Sequence, residues 1–253
     1  GGAISLDIDG VLSVNGTISA NGQDLNLGAG AGGSINLKAA ELSGAGTIRA
    51  NGGLSTTRHG GGGGRISLTK IVANDFAGSI QVHGGTSGGG YMRASAGTIA
   101  FPHEYDLTLG GEGTMAALRL GQDDQGNENI FNDIVIQDGG TLELDGNRKL
   151  NDDLGGPAVI YAANIDVQSG GHISADAMGF SGGSGNQGNF GATYGGRGGY
   201  NNILPTYGSF TNPLIFGSKE GGGVVMLVVT GVLTVNGVVS SDSLDQNLYT
   251  GSG

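Results

Sequence analysis

A short glycine-led segment recurs along this chain at a fixed spacing. Residues 2–6 read GAISL, and the same pattern returns as GSINL at 33–37 and as GRISL at 64–68, each time 31 residues further on. A second segment, GTI at 16–18, follows the first one. It returns at 46–48 and 78–80, with degenerate copies at 97–99, 113–115, 140–142 and 171–173. Such self-similarity is the sequence signature of a fold built from stacked repeats.

Strict alternation of polar and apolar residues predicts β-strands within each repeat. Ile4, Leu6 and Ile8 alternate with Ser5 and Asp7, which places the apolar set on one face of a strand. The runs are short and end at glycine, Asn-Gly or Asp-Gly, which mark turns. Glycine supplies 56 of the 253 residues, and each one inside a helix would cost about 1 kcal/mol. We therefore expect an all-β chain.

One repeat unit predicts three short strands, at about 3–8, 11–14 and 17–20. Residues 223–242 align with residues 2–21 without a gap, and nine of the 20 pairs are identical. Such units bury little alone and are stabilised by stacking. We predict one domain over residues 1–253, a β-solenoid with about three strands per coil and parallel pairing between coils. An antiparallel meander or sandwich, with hairpins at the same Asn-Gly and Asp-Gly steps, is the alternative.

The residues that carry the repeat resemble a known class of architecture. GGAISL at 1–6, GTISANG at 16–22 and GGGGRI at 61–66 are similar to the glycine-rich right-handed parallel β-helices of large bacterial secreted and surface proteins. Filamentous-haemagglutinin-type adhesins and autotransporter passenger domains belong to that class. The resemblance covers roughly residues 1–101, 134–177 and 221–242. It implies right-handed winding and an extracellular or cell-surface protein that is elongated and adhesive or matrix-forming, and it transfers no catalytic motif.

Charge and composition exclude several classes of function. The chain has 22 acidic and 11 basic residues, a formal net charge of −11, so we expect no nucleic-acid partner. It has no cysteine, so disulfides and thiolate metal sites are excluded. The longest apolar run, 224–229, is far shorter than the roughly 20 residues that a transmembrane helix needs. We expect no transmembrane segment.

Insertions are predicted after the turns of successive units, which would gather them along one edge of the solenoid. They are expected at 23–31, 53–62, 85–90, 121–133, 147–156 and 177–222. The last contains an aromatic and glycine-rich insertion, residues 178–220, which holds seven of the 14 Phe and Tyr residues. Its rings could stack on sugars, pack against a neighbouring subunit or cover the flank of the solenoid. The candidate ligand- or partner-binding residues are Tyr194, Arg197, Tyr200, Tyr207 and Phe210.

One acidic loop is a candidate calcium site. Asp123, Asp124, Asn127 and Glu128 offer oxygen ligands, which Ca²⁺ prefers, around Gly126. The loop lacks the regular spacing of an EF-hand, and a solvated acidic loop is the alternative. A structural Ca²⁺ is the one cofactor considered.

Catalysis is not expected, although parallel β-helices also host polysaccharide lyases and hydrolases. The one cluster of mixed titratable residues is HEYD at 103–106, where an acid–base pair would be needed for such chemistry. Neighbours on a strand point to opposite faces, so only His103 with Tyr105, or Glu104 with Asp106, would converge. A polysaccharide-cleaving enzyme is kept as the least favoured alternative.

The two ends of the predicted solenoid are candidate contact surfaces. No capping helix is predicted at either end, and a solenoid end exposes backbone groups that can pair with another chain. Either the chain is a fragment of a longer tandem array, or copies stack end to end. The candidate interface residues are Ile4, Leu6, Val225, Leu227 and Val235. We expect an extracellular structural or adhesive rod or filament that self-associates, with a glycan-binding module as the alternative.

Overall fold

The chain is all-β wherever its structure is described. A computed structural model describes residues 1–71, 73–86, 94–102, 105–122, 128–146, 156–180, 192–197, 205–218 and 221–243. Over these residues there are 19 strands and no helix, and every pair of neighbouring strands is parallel. The all-β prediction is confirmed, and the antiparallel alternative is wrong for the described strands. The described residues accordingly offer no helix able to cross a membrane.

The strands are short, as the spacing of glycines predicts. In the first half of the chain they are β1 (Ala3–Asp7), β2 (Val11–Ser13), β3 (Thr17–Ser19), β4 (Ser34–Lys38), β5 (Glu41–Gly44), β6 (Thr47–Arg49), β7 (Arg65–Thr69), β8 (Ala73–Phe76), β9 (Ser79–Gln81) and β10 (Thr98–Ala100). In the second half they are β11 (Leu107–Leu109), β12 (Ala117–Gly121), β13 (Asn129–Ile136), β14 (Thr141–Asp145), β15 (Ala158–Val167), β16 (His172–Ser174), β17 (Val225–Val229), β18 (Leu233–Val235) and β19 (Val238–Ser240).

Successive groups of strands return to the same sheets. The chain runs through β1, β2 and β3, then places β4, β5 and β6 beside them, and then β7, β8 and β9. We call each such group a unit. The second half forms two more parallel sheets, β11-β13-β15-β17 with β18 also on β15, and β12-β14-β16-β19. Counted in chain order, the described strands make seven units, which are β1–β3, β4–β6, β7–β9, β10–β12, β13–β14, β15–β16 and β17–β19.

Like residues of successive units lie directly beside one another. Ile4 pairs with Ile35, Ile35 with Ile66, and Ile66 with Ile99. Leu6, Leu37 and Leu68 form a second row, and Ile18, Ile48 and Ile80 a third. These side chains belong to a single apolar core that extends from β1 to β17. The alternation read from the sequence therefore separates an inner face from an outer one.

Two long strands correct the sequence-based boundaries. Residues 129–133 were predicted as part of an insertion but belong to β13, whose second half pairs with β11. β15 likewise pairs with both β17 and β18, so each long strand occupies the place of two short ones. The copy at 97–99 was also assigned to the wrong segment. It forms β10, which pairs with β7, because a three-residue Gly-x-Ile match does not distinguish the two segments.

Candidate functional site

The candidate interface residues lie on strands at the ends of their sheets. Ile4 and Leu6 are on β1, Val225 and Leu227 on β17, and Val235 on β18. Among the described strands β1 pairs only with β4, whereas β17 and β18 pair only with β15. We call β1–β3 the N-terminal edge and β17–β19 the C-terminal edge. Each edge presents one row of backbone groups that has no strand beside it in the described chain.

Apolar side chains at the C-terminal edge face inward but remain exposed. Leu233 pairs with Ile165, Val235 with Val167 and Val239 with Ile173. The three partners are at most 1% exposed, yet Leu233, Val235 and Val239 are 45%, 46% and 40% exposed. Parallel neighbours point to the same side of a sheet. The exposure therefore arises because nothing in the described chain lies on the next level.

The described part of the aromatic insertion builds a small core of its own. Phe180 and Phe216 meet edge to face with centroids 5.4 Å apart, and both are buried with Val224. Phe216 also lies against Gly146, where an added Cβ would come within 2.6 Å of its ring. Gly146 directly follows β14, so Phe216 joins the insertion to the body of the sheets.

Two tyrosines of the insertion are engaged with each other. Tyr194 and Tyr207 meet edge to face with centroids 4.9 Å apart, and the Tyr207 hydroxyl donates to the Phe216 carbonyl at 2.9 Å. Burial raises the pKa of Tyr207. Phe210 is fully exposed and Arg197 is exposed. Tyr200 lies outside the described residues.

The candidate calcium ligands are only partly within the described chain. Asp123, Asp124 and Asn127 lie outside it, and Glu128 is exposed immediately before β13. Over the described ranges no three His, Asp or Glu side chains come together as metal ligands would. The calcium site stays a prediction.

A shallow groove runs across the outer face of β4, β7 and β10. Its volume is about 360 Å³. Its lining includes one cation and one anion among the polar side chains Ser34, Asn36, Arg65, Ser67, Thr98, Glu128 and Asn129. Of the HEYD cluster, His103 and Glu104 lie outside the described residues. Tyr105 is buried against Phe101, with centroids 4.8 Å apart, and burial raises its pKa.

A polar cluster at the C-terminal edge was missed by sequence reasoning. The Ser240 hydroxyl oxygen lies 2.8 and 2.7 Å from the two carboxylate oxygens of Asp176, and His172 Nε2 lies 2.7 Å from the same hydroxyl. The Asp242 N–H donates to Asp176 at 2.6 Å. The signal was available, because residues 171–176 (GHISAD) align with 237–242 (GVVSSD) as neighbouring copies of one segment.

This cluster has the residue types of a hydrolytic triad but a different connectivity. In a triad the carboxylate binds the imidazole and the imidazole accepts the serine proton. Here the carboxylate of Asp176 lies within hydrogen-bond distance of the Ser240 hydroxyl, whereas His172 Nε2 is 3.9 Å from that carboxylate. The arrangement instead holds β19 and the following residues against β16.

Loss of the Asp176 carboxylate is expected to loosen the C-terminal edge. Burial raises the pKa of Asp176, but hydrogen bonds from the Asp242 N–H and the Ser240 and Ser174 hydroxyls outweigh it, so its pKa lies below the usual value. A carboxyl whose pKa is lower when folded stabilises the fold above its unfolded pKa, near 4. That stability is lost as pH falls through the folded value.

We expect Asp176→Ala to cost about 1 kcal/mol at pH 7, because charged hydrogen bonds on a partly exposed side chain contribute about that much. Amide hydrogen exchange of residues 238–242 measures the effect. At pH 7 the variant should exchange faster than wild type. Below pH 4, where the Asp176 carboxyl is protonated in both states, the difference between the two proteins should shrink. Unchanged exchange at both pH values would contradict this role of Asp176.

Comparison of the chain with protein-family models, with curated protein sequences and with solved structures gives no match.

Proposed function

We propose that this chain is a parallel β-solenoid that serves as an extracellular structural or adhesive rod, extended by association of its ends. The observation that carries the proposal is the row of like residues, Ile4, Ile35, Ile66 and Ile99, on successive parallel strands. The chain returns to the same three sheets in its first three units and to two further parallel sheets in its later ones, and we infer that all the units stack along one axis. We call one unit of the solenoid a coil.

The interior of the chain suits a role based on shape. The core is a continuous column of Ile, Leu and Val contributed by every unit. On the outer face, polar residues form ladders between coils, such as the ion pair of Lys38 with Asp7 at 2.5 Å and the hydrogen bond of Asn36 to Ser5 at 3.3 Å. In solenoids, stability comes from nearest-neighbour contacts of this kind. Further coils can therefore be added without changing the fold.

The extracellular setting is supported by composition and by resemblance. The chain has no cysteine and twice as many acidic as basic residues. Its repeats are similar to those of secreted and surface β-helices of bacteria. The net charge of an acidic, glycine-rich rod keeps it soluble. Its sides are protected from pairing with other chains, because the backbone groups of interior strands are already paired.

Self-association is supported by the two open edges. Among the described strands, the three at each edge have one neighbour apiece, and inward apolar residues at the C-terminal edge are exposed. Exposed strand edges are templates for pairing with another chain. The two edges differ from each other and terminate opposite ends of the proposed stack, so their contact moves each copy along the axis, which gives a filament and not a closed ring.

Electron microscopy and fibre diffraction of the concentrated full chain test the proposal. Seven coils at about 4.8 Å each give a rise of about 34 Å per chain. We expect unbranched filaments with an axial repeat of about 34 Å and a strong 4.8 Å reflection along the filament axis. A compact particle that stays monomeric at high concentration would overturn the rod.

A glycan-binding module is the second candidate, and Phe210 is the observation that favours it. Its ring is fully exposed on a glycine-rich segment, where a sugar could stack on it. Tyr194 and Tyr207 are less suited, since they pack on each other and the Tyr207 hydroxyl is bound to Phe216. We therefore place the structural role first.

A further inference from the structure

We propose that the end contact is formed between two copies of this chain in one fixed register, with β17–β19 of one copy carrying β1–β3 of the next. In this register each residue lies beside the residue numbered 221 higher in its neighbour. This inference rests on the proposed function, and it specifies the partner and the residues of the same end contact. Four features of the two edges support it.

First, the inward apolar residues of the two edges match at that single offset. Ile4 would meet Val225 and Leu6 would meet Leu227 on the first strands. The later strands match in the same way, with Leu12 on Leu233, Val14 on Val235 and Ile18 on Val239. No gap is needed across three strands and the two turns between them. The rows of the core would therefore continue from one copy into the next.

Second, the strands of the two edges have nearly the same spacing along the chain, with start positions that agree to within one residue. β1, β2 and β3 begin at residues 3, 11 and 17, and β17, β18 and β19 begin at 225, 233 and 238. The aligned stretches 2–21 and 223–242 share nine residues in 20. Between the first two units, the stacked strands keep an almost constant offset, 31 residues for Ile4 with Ile35 and 30 for Ile18 with Ile48. The proposed contact obeys the same rule.

Third, a polar ladder has a donor at one edge and an acceptor at the other. The Asn51 N–H donates to Asn21 Oδ1 at 2.9 Å, and the His83 N–H donates to Asn51 Oδ1 at 2.8 Å. The Asp242 N–H donates to Asp176 in the same way. Asn21 and Asp242 occupy this ladder position at the two edges.

In that ladder the later unit always supplies the N–H and the earlier unit the side-chain oxygen. Asp242 is exposed, and its carboxylate accepts no hydrogen bond from a described residue. The N–H of Asn21 in the next copy lies one level beyond it in the proposed register. The two edges are therefore complementary, donor to acceptor.

Fourth, Gly16 has free space that Gly46, Gly78 and Gly237 lack. A Cβ added at Gly46 would lie 2.2 Å from the Gly16 carbonyl oxygen, and one at Gly78 would lie 2.2 Å from the Gly46 oxygen. Gly237 stands equally close, 2.2 Å, to the Gly171 oxygen. At Gly16 itself nothing lies within 4 Å. A single chain would tolerate a side chain there, but a stacked copy would not, because Gly16 would then lie over Gly237.

Gly16→Ala tests this register in the full-length chain. Its methyl group faces open space in the monomer, so we expect an unchanged melting temperature at low concentration. In the filament it would meet a backbone carbonyl, and we expect end-to-end association to weaken by about tenfold or more, measured by sedimentation velocity and electron microscopy. Added to wild-type protein, the variant should shorten filaments, because it can cap one end but not extend it.

Gly10→Ala is the matched control. Gly10 also has nothing within 4 Å, but the next unit places Ala40 beside it, with the Ala40 N–H donating to the Gly10 carbonyl at 3.0 Å. Alanine is therefore accommodated beside Gly10 at residue 40, and the variant should lose much less association than Gly16→Ala does.

Asp242 variants provide a test that does not depend on glycine. Asp242→Ala should weaken association, and Asp242→Asn, which keeps a side-chain oxygen, should retain most of it. Filaments that form normally with both Gly16→Ala and Asp242→Ala would overturn the register while leaving the rod intact. Equal loss with Gly10→Ala would overturn it too. Wild-type protein that never assembles would instead overturn the proposed function.

Discussion

Replacement of Gly64 by alanine is expected to lower the free energy of unfolding by about 3 kcal/mol, the upper range for forcing an extra carbon into a packed site. A Cβ at residue 64 would lie 2.1 Å from the Gly33 carbonyl oxygen. Neither backbone can withdraw easily, because Arg65 is paired with Ser34 and the Gly64 N–H donates to Ala50 at 2.7 Å. Thermal unfolding followed by circular dichroism measures the loss, about 10 °C for a chain of this size.

Gly62→Ala is the control for this substitution. Gly62 lies in the same glycine run, two residues earlier, and a Cβ there would meet nothing within 4 Å. We expect its melting temperature to stay within about 2 °C of wild type, as for most surface changes. Equal destabilisation by the two variants would mean that general stiffening of the glycine run, and not the contact between units, determines the effect.

Ile66→Ala is expected to cost about 3–4 kcal/mol, because it removes a fully buried side chain and leaves a cavity. Ile66 is 1% exposed and lies between Ile35 and Ile99 in the first row of the core. Two neighbouring units therefore lose contacts together. Chemical denaturation, analysed for both midpoint and slope, measures the change.

Ser67→Ala is the matched control for Ile66. Ser67 is the next residue on β7 and points to the outer face, where it pairs with Asn36 and Ala100. We expect a change within about 0.5 kcal/mol. If Ser67→Ala cost as much as Ile66→Ala, the assignment of inner and outer faces would be wrong.

The sequence was most informative where alternation is regular and glycine marks both ends of a strand. The first unit was predicted at about 3–8, 11–14 and 17–20, and its strands are Ala3–Asp7, Val11–Ser13 and Thr17–Ser19. Period-2 alternation depends only on local sequence and on which face is buried. The 31-residue spacing then identified which strands lie side by side, because like residues at a constant offset form rows.

The middle of the chain was harder to predict because the alternation changes phase. In β13 the buried residues are Asn129 and Phe131 and then Ile134 and Ile136, so the period slips by one residue at the bend. A strand that bends in this way looks like a polar loop, particularly with Asn129 at an inner position. That asparagine is tolerated because its side-chain amide donates to the Val159 carbonyl at 3.3 Å, a contact with a distant strand.

The state of the aromatic insertion also depends on distant contacts. Tyr207 and Phe210 lie three residues apart in similar glycine- and polar-rich surroundings, yet one is engaged and the other fully exposed. The difference arises because Phe216 packs against Gly146, some 70 residues earlier, and brings its own carbonyl to Tyr207. Composition identified the insertion as distinct but could not show which of its aromatic rings pack against other residues.

Disulfide trapping between neighbouring units tests most directly whether the repeats stack in the register described. The chain has no cysteine, so an introduced pair has no competing thiol. Ser5 and Asn36 are paired on β1 and β4, and their side chains are in contact at 3.3 Å. Paired Cα atoms on adjacent strands lie about 4.8 Å apart, within reach of a disulfide. Ser5 and Lys38 share the same outer face but are two residues out of register, at about 8 Å.

We expect the double variant Ser5→Cys with Asn36→Cys to cross-link rapidly under mild oxidation, and Ser5→Cys with Lys38→Cys to remain reduced, both scored by mass spectrometry on monomeric protein. Equal cross-linking of the two pairs, or preferential cross-linking of the second, would contradict the register on which the rows of the core, the rod and the end contact all depend.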